Sequence, residues 1–409
     1  MLNGKKQLSV VILAVFFFIP ALFPCSAKGA SSSLQEIKRL LGRADATLLA
    51  DPSGRIIVGV NTDKLLVPAS TLKLLTALAA RHYLGEDYRF QTEFYVRNDG
   101  SLVIKGFGDP LLLSEDVENI AGVLSKQMNF VNNIILDDSY FAKPLTIPGT
   151  ISGSVQPYDA QCGALSVNFN SFGFQFQNGQ PASAEPETPL LDIARTKIAS
   201  IHASSNIQSG RIPLDGSNDE IPRYAGQLFD YFLRETGISV KGSIRIGEVD
   251  PDRDILVYRH ISSSNLSGII TRLMKNSNNF IANQLVLAAG AAVSGPPATM
   301  EKAVAAVKAY GATVLKIDPL TVVEGSGISR GNRLSAAMFL KILKAFQPSH
   351  TLLRRQGNEY FKTGTLNGIR TRAGYLEGMD GQLYPFVVLV NTPGKGTEPV
   401  MKRLKQIIR

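Results

Sequence analysis

A serine and a lysine three residues apart stand in the stretch Val67-Pro68-Ala69-Ser70-Thr71-Leu72-Lys73, directly before the apolar run Leu74-Leu75-Thr76-Ala77-Leu78-Ala79-Ala80. That run predicts a buried helix with Pro68 near its first turn. Residues i and i+3 share one helix face, so the Lys73 amine reaches the Ser70 hydroxyl. A serine hydroxyl is a poor nucleophile until a base takes its proton. A lysine can be that base only if its pKa falls, and burial, a second cation or a helix N-terminus all lower it. Ser-x-x-Lys alone is common and equally marks an ordinary helix start.

Two later stretches add weight. Lys275-Asn276-Ser277-Asn278-Asn279-Phe280 offers a hydroxyl and a carboxamide two residues apart, between two helical patterns. By itself it reads as a helix–helix turn with an Asn or Ser cap. Lys362-Thr363-Gly364-Thr365 lies in an extended segment after Tyr360-Phe361. A cation, two hydroxyls and a glycine on an edge strand suit a carboxylate: the Lys neutralises charge, the Thr hydroxyls donate, and the Gly admits a ligand backbone. Ser-x-x-Lys, Ser-x-Asn and Lys-Thr-Gly in this order form the known motif set of acyl-serine enzymes.

The elements that must bring these motifs together are separated by a long insert. The 409 residues suffice for two domains, or for one with a large insertion. Leu34 to Leu41 reads as an amphipathic helix and Ala46 to Val60 as a hairpin turning at Asp51-Pro52-Ser53-Gly54. From about Phe90 short strands appear (91–96, 101–105, 133–136), with helices at 113–126 and 224–236. Residues 144–224 are rich in Gly, Pro, Ser and Asn and low in helical periodicity, with an exposed loop at 180–189. Long helical patterns return near Ile255, at 265–275, 278–290, 299–310 and 334–346. Two strands (368–376, 382–391) and a basic helix from Glu398 close the chain. Helices around an antiparallel sheet make an α+β fold.

Lys5 and Lys6 before the apolar run Leu8–Phe23, with Ser26-Ala27 as a cleavage site, read as a secretory signal peptide over residues 1–27. The run is short for a membrane span and contains Pro20, so no stable span is expected after processing. Phe23-Pro24 before Cys25 argue against a lipid anchor there, and the mature chain keeps one cysteine, Cys162, which excludes an intramolecular disulfide. The net charge of +9 carries no Lys/Arg block with interleaved aromatics, so nucleic acid is not an expected partner. A basic exported protein is drawn instead to anionic envelope polymers or carboxylate-bearing substrates. Met401-Lys402-Arg403-Leu404-Lys405 reads as a terminal helix packed on the sheet with solvated lysines. His82, His202, His260 and His350 show no ligand spacing, and neither metal nor other cofactor is expected.

The whole pattern resembles the class C low-molecular-mass penicillin-binding proteins, the D-Ala-D-Ala carboxypeptidase/endopeptidase family. Besides the three motifs, the resemblance rests on Gly106-Phe107-Gly108-Asp109-Pro110, Leu136-Asp137-Asp138-Ser139-Tyr140-Phe141, and Pro157-Tyr158 leading to Ala164-Leu165-Ser166-Val167-Asn168-Phe169-Asn170. Gly325-Ser326-Gly327-Ile328-Ser329-Arg330 and Thr365-Leu366-Asn367-Gly368 with Ala373-Gly374-Tyr375 extend it. It implies a serine β-lactamase/transpeptidase-like domain split into residues 31–90 and 255–409, with residues 91–254 inserted. Glu324 departs from the family's Asp before Gly-Ser-Gly, and the nested third domain near 204–216 is reduced.

The resemblance implies cleavage of the terminal D-Ala of peptidoglycan stem peptides, and in many members of D-centred cross-links, with β-lactams acylating the same serine. Ser70 is then the nucleophile and Lys73 its base, while Ser277 relays a proton to the leaving amine through Lys73 or Lys362. Asn279 binds the substrate amide and holds Lys73. Lys362, Thr363 and Thr365 receive the terminal carboxylate. The N–H groups of Ser70 and Thr365 form an oxyanion hole, and Arg330 matches a position that meets the acyl-side peptide. A periplasmic or cell-envelope location follows. The same-fold alternative is a serine β-lactamase, but no Glu-x-x-Leu-Asn lies between the first and second motifs. The alternative from another class is a non-catalytic wall-binding paralogue.

Overall fold

The computed structural model describes residues 27–205 and 207–408. The leader expected over residues 1–27, with Cys25, falls outside the described residues except for Ala27. Both ends of the chain meet in one six-stranded antiparallel sheet. Its strand order is Arg354–Gln356, Glu359–Leu366, Ile369–Glu377, Leu383–Val390, Asp45–Ala50, Ile56–Val60. Asp45 pairs with Val390 and Leu49 with Phe386, so the first hairpin docks on the last strand. Every residue of Asp45–Ala50 is buried, as expected of a strand covered on both faces.

One face carries the helices Ala27–Leu40 and Glu398–Ile407, which pack Ile37, Leu41, Met401 and Leu404 against Phe361, Phe386 and Val388. The terminal basic helix therefore lies on the sheet, as its pattern predicts. The other face carries Lys73–Leu84, Leu266–Asn276, Asn279–Ser294, Met300–Thr313 and Ala336–Phe346 around the largest apolar core. The architecture is the expected α+β type.

The intervening chain builds a five-stranded sheet in the order Ile244–Ile246, Ile134–Asp137, Leu102–Gly106, Gln91–Arg97, Asp254–Ile261. Ser114–Leu124 and Glu220–Glu235 share its separate core, with Phe94, Ile104, Leu136, Leu228 and Phe229 buried. A three-stranded sheet (Ser171–Gln177, Gln180–Ser183, Ser209–Pro213) and a parallel pair of short strands (Phe130–Val131, Ser239–Val240) complete this part.

Two expectations change here. The boundary read at 254/255 falls at the start of a strand of the inserted sheet, since Asp254 to Ile261 pair with Arg97 to Gln91. The edge strand exposes apolar side chains, among them Ile255, Leu256 and Ile261, and the long helices return only after it, from Leu266. The segment 144–224, read as low in helical periodicity, contains the helix Asp192–Ser205. Ala194 and Ile198 are the helix's buried apolar side chains, with Leu191 just before it, a stripe too narrow to register as helical periodicity.

Candidate active site

The nucleophile stretch is more tightly wound than an α-helix start. Ala69–Leu72 forms a 3-10 turn, and the α-helix begins at Lys73. Ala69 has φ 49, a left-handed value that costs an L-residue free energy and survives only where its surroundings enforce it. Gly327, itself at φ +86, lies so close that a Cβ there would overlap the Ala69 carbonyl. The Thr71 and Thr371 hydroxyls both donate to Pro68 O, at 2.6 and 2.7 Å. Because Leu74 to Ala80 are all buried, the helix carries Lys73 inward with them, to 0 % exposure.

Lys73 Nζ has three partners: Ser70 Oγ at 3.0 Å, Asn279 Oδ1 at 2.7 Å and Ser326 O at 2.8 Å. Burial drives its pKa well below the ordinary lysine value, the nearby Lys362 lowers it further, and Glu324 opposes both. A neutral amine fits these partners. Its two hydrogens go to the Asn279 and Ser326 oxygens, and its lone pair is left for the Ser70 proton. Glu324 is buried and holds the Ser326 carbonyl in place from behind. Its carboxylate accepts from Ser326 N and Oγ (both 2.6 Å), Gly327 N (2.7 Å) and Asn332 Nδ2 (2.6 Å).

The second motif is a helix–helix turn and a functional element at once. Ser277 ends Leu266–Asn276 in the left-handed conformation, φ 55. The Asn278 side chain caps the next helix, accepting from Ile281 N at 3.0 Å. That leaves the flanking side chains for the cleft. Ser277 Oγ accepts from Lys362 Nζ at 2.7 Å. Asn279 spans Lys73 on one side and Tyr158 O on the other, its Nδ2 donating at 3.1 Å.

The third motif lies on an open strand edge. The outermost strand pairs only with Glu359, Tyr360 and Phe361, so among the described residues Lys362 to Leu366 have no paired strand on that side, the geometry that accepts an added peptide strand. Lys362 is buried, which lowers its pKa to about 8. Thr363 and Thr365 are exposed beside it. Ser70, Tyr158, Ser277, Asn279, Thr363 and Thr365 line one cleft of about 560 Å³.

Seven of the eight expected site residues converge here, with Lys73 and Lys362 forming the buried floor. Arg330 stands apart. It is exposed at the rim, its Nη2 donating to Asn367 O at 2.5 Å, and it is not among the residues lining the cleft. Sequence reasoning assigned no role to Tyr158, Ile328, Asn367 or Arg370, which also line the cleft. Tyr158 arrives from the insert, so only the folded chain reveals it. A larger hollow of about 660 Å³ lies in the insert, but its charges are already matched: Lys143 pairs with Asp138 and Asp219, and Lys197 with Asp215. Cys162 is buried with its thiol pKa raised by burial. Among the described residues no group of three or more His, Cys, Asp or Glu side chains is placed to hold a metal ion, and no helix is long and apolar enough to cross a membrane.

A buried lysine against a serine, backed by a hydroxyl–lysine pair and an open strand edge, defines an active-serine acyl-transfer enzyme of the β-lactamase/transpeptidase type. The chain belongs to the D-Ala-D-Ala carboxypeptidase 3 (S13) family, whose model matches residues 31–356, and it is a serine-type D-Ala-D-Ala carboxypeptidase. A D-alanyl-D-alanine carboxypeptidase from Actinomadura sp. (strain R39) is 27% identical, covering 93% of this chain and 85% of that one. Penicillin binding protein 4 (dacB) from Haemophilus influenzae superposes with a TM-score of 0.74 at 19% identity, over 92% of this chain and 98% of that one. The same protein complexed with a β-lactam gives 0.69 at 19% identity, over 91% and 98%. At these identities the structural likenesses establish the fold.

Proposed function

We propose that the enzyme removes the terminal D-Ala of peptidoglycan stem peptides through an ester on Ser70. Ser70 Oγ attacks the carbonyl of the penultimate D-Ala while its proton passes to Lys73 Nζ. The tetrahedral oxyanion is received by the N–H groups of Ser70 and Thr365, each such donor contributing roughly 3–4 kcal/mol of transition-state stabilisation. The C–N bond then breaks. The proton reaches the leaving amine through the Ser277 hydroxyl, which Lys362 supports, and D-Ala departs. Water cleaves the ester, and Ser70 regains a proton. Lys362, Thr363 and Thr365 hold the terminal carboxylate, and Asn279 orients Lys73 and the substrate amide. Arg330, at the rim, meets the acyl-side peptide.

The observation that carries this reading is the buried Lys73 amine, held by two acceptors and aimed at Ser70 Oγ. β-Lactams present a reactive carbonyl beside a carboxylate and so acylate Ser70 as well. The relative from Haemophilus influenzae has been seen with such a compound. Export to the periplasm or cell envelope matches this substrate and rests on the leader in the sequence. In domain terms the catalytic part comprises residues 31–90 and the chain after Ile261, with the insert supplying Tyr158.

Release of D-Ala from a stem pentapeptide, followed for wild type and Ser70→Ala, tests the assignment. Wild type turns over and Ser70→Ala does not. Equal release by both overturns it. A fluorescent penicillin should leave a long-lived label on wild type, whereas rapid drug turnover points to a β-lactamase.

A further inference from the structure

The active cleft does not end at the third motif. Asn367 and Arg370 line both the cleft and a second groove of about 640 Å³ at the tip of the Glu359–Leu366/Ile369–Glu377 hairpin. The groove's far side is the segment 393–398, where Gly394 and Gly396 expose backbone and Lys395 and Thr397 supply polar side chains. Arg370 sits directly across from Thr365 in the strand register. Its Nη1 donates to Leu366 O and Ile369 O, at 3.0 and 2.9 Å, which fixes the guanidinium at the hairpin tip and leaves its other edge to a ligand. Lys395 is anchored by one bond to Leu40 O at 2.9 Å, so two of its ammonium hydrogens remain. The acidic residue of the groove, Glu398, is engaged by the Arg372 guanidinium. The groove thus presents two cations and no unpaired carboxylate among the described residues.

The direction of the substrate says what meets these cations. With the terminal carboxylate at Lys362 and Thr363 and the scissile carbonyl at Thr365, a peptide laid along the open edge runs its upstream part past Leu366 and Asn367. Two strand residues span about 7 Å, so the groove begins about two residues upstream of the acyl D-Ala. We propose that it is a carboxylate subsite for the acyl-donor peptide, with Arg370 and Lys395 as its cationic contacts. The chemical class is a free carboxylate on a side branch of the peptide, as a γ-linked glutamyl residue carries. This deepens the carboxypeptidase reading and rests on it.

The test uses two synthetic pentapeptides ending in D-Ala-D-Ala that differ only in a free α-carboxylate or an α-carboxamide on the γ-linked glutamyl residue. Wild type should favour the acid by about tenfold in kcat/KM, the scale of a charge-assisted contact. Arg370→Gln and Lys395→Gln should each shrink that ratio, and the double variant should bring it near one while still releasing D-Ala from the amide. Thermal melting confirms that the variants fold. A wild-type ratio near one overturns the subsite, as does a ratio kept by the double variant or equal loss on both peptides. If folded wild type releases no D-Ala from either peptide, the carboxypeptidase reading fails first and takes the subsite with it.

Discussion

Lys362 Nζ donates to Ser277 Oγ at 2.7 Å, which joins the second and third motifs side chain to side chain across 85 residues of chain. On the proposed mechanism the hydroxyl passes a proton from that fixed position. Ser277→Ala leaves the buried ammonium with one acceptor fewer and the leaving amine without a donor. The acylation rate by a fluorescent penicillin should fall by about 10²–10³, within the span of general acid–base effects. An unchanged rate removes Ser277 from the relay.

The two lysines give opposite pH requirements. As the proposed base Lys73 acts only when neutral, and its pKa lies well below the ordinary 10.5. Lys362 holds a carboxylate best when charged and loses its proton near pH 8. The kcat/KM profile for D-Ala release should therefore rise on the acid side as Lys73 deprotonates and fall above about pH 8. A bound carboxylate favours charged Lys362, so the falling limb of kcat should lie at higher pH than that of kcat/KM. Lys362→Arg should abolish the falling limb. Stopped-rate assays from pH 5 to 10 check each sign.

On the proposed mechanism, Gly364 keeps the oxyanion hole open. A Cβ at this position would sit 2.8 Å from Ser70 N and 2.9 Å from Ala69 Cβ, closer than real side chains approach. Gly364→Ala must push the Ser70 N–H away from the strand edge. Loss of one hole donor costs about 10²–10³ in rate, and acylation should drop accordingly; the melting temperature should fall as well, because the Cβ would also overlap the buried Thr371 Oγ1. Full activity in Gly364→Ala places the oxyanion elsewhere.

The three motifs and most flanking elements were legible because each carries a local signature: an apolar run after Ser70, Asn caps between helices, an extended segment with a cation, hydroxyls and a glycine at Lys362. What the sequence hid is non-local. Ser326 O reaches Lys73 across 253 residues, and a backbone carbonyl leaves no trace in residue type. Tyr158 enters the cleft from the insert. Asp254–Ile261 pairs with Gln91–Arg97, a contact across more than 150 residues that the boundary drawn at 254/255 could not register. Asp192–Ser205 buries too narrow a stripe to show a period. Arg330 matched a family position, yet its place at the rim is set by the Asn367 carbonyl rather than by the cleft.

The buried Glu324 carboxylate reaches a ring of donors: the backbone N–H groups of Ser326 and Gly327, the Ser326 hydroxyl and the Asn332 amide. Glu324→Gln turns one acceptor oxygen into a donor facing other donors. The unpaired groups should cost about 3 kcal/mol, read as a lower denaturation midpoint with an unchanged slope. The same substitution removes the charge that raises the Lys73 pKa, so the rising limb of the kcat/KM profile should move to lower pH. Glu324→Asp keeps the charge but withdraws the carboxylate by one methylene. It should lose part of the stability and leave that limb close to the wild-type position. A stability loss in Gln with no movement of the limb would limit Glu324 to holding the loop. A shift in Gln that Asp restores ties its charge to the proton affinity of Lys73.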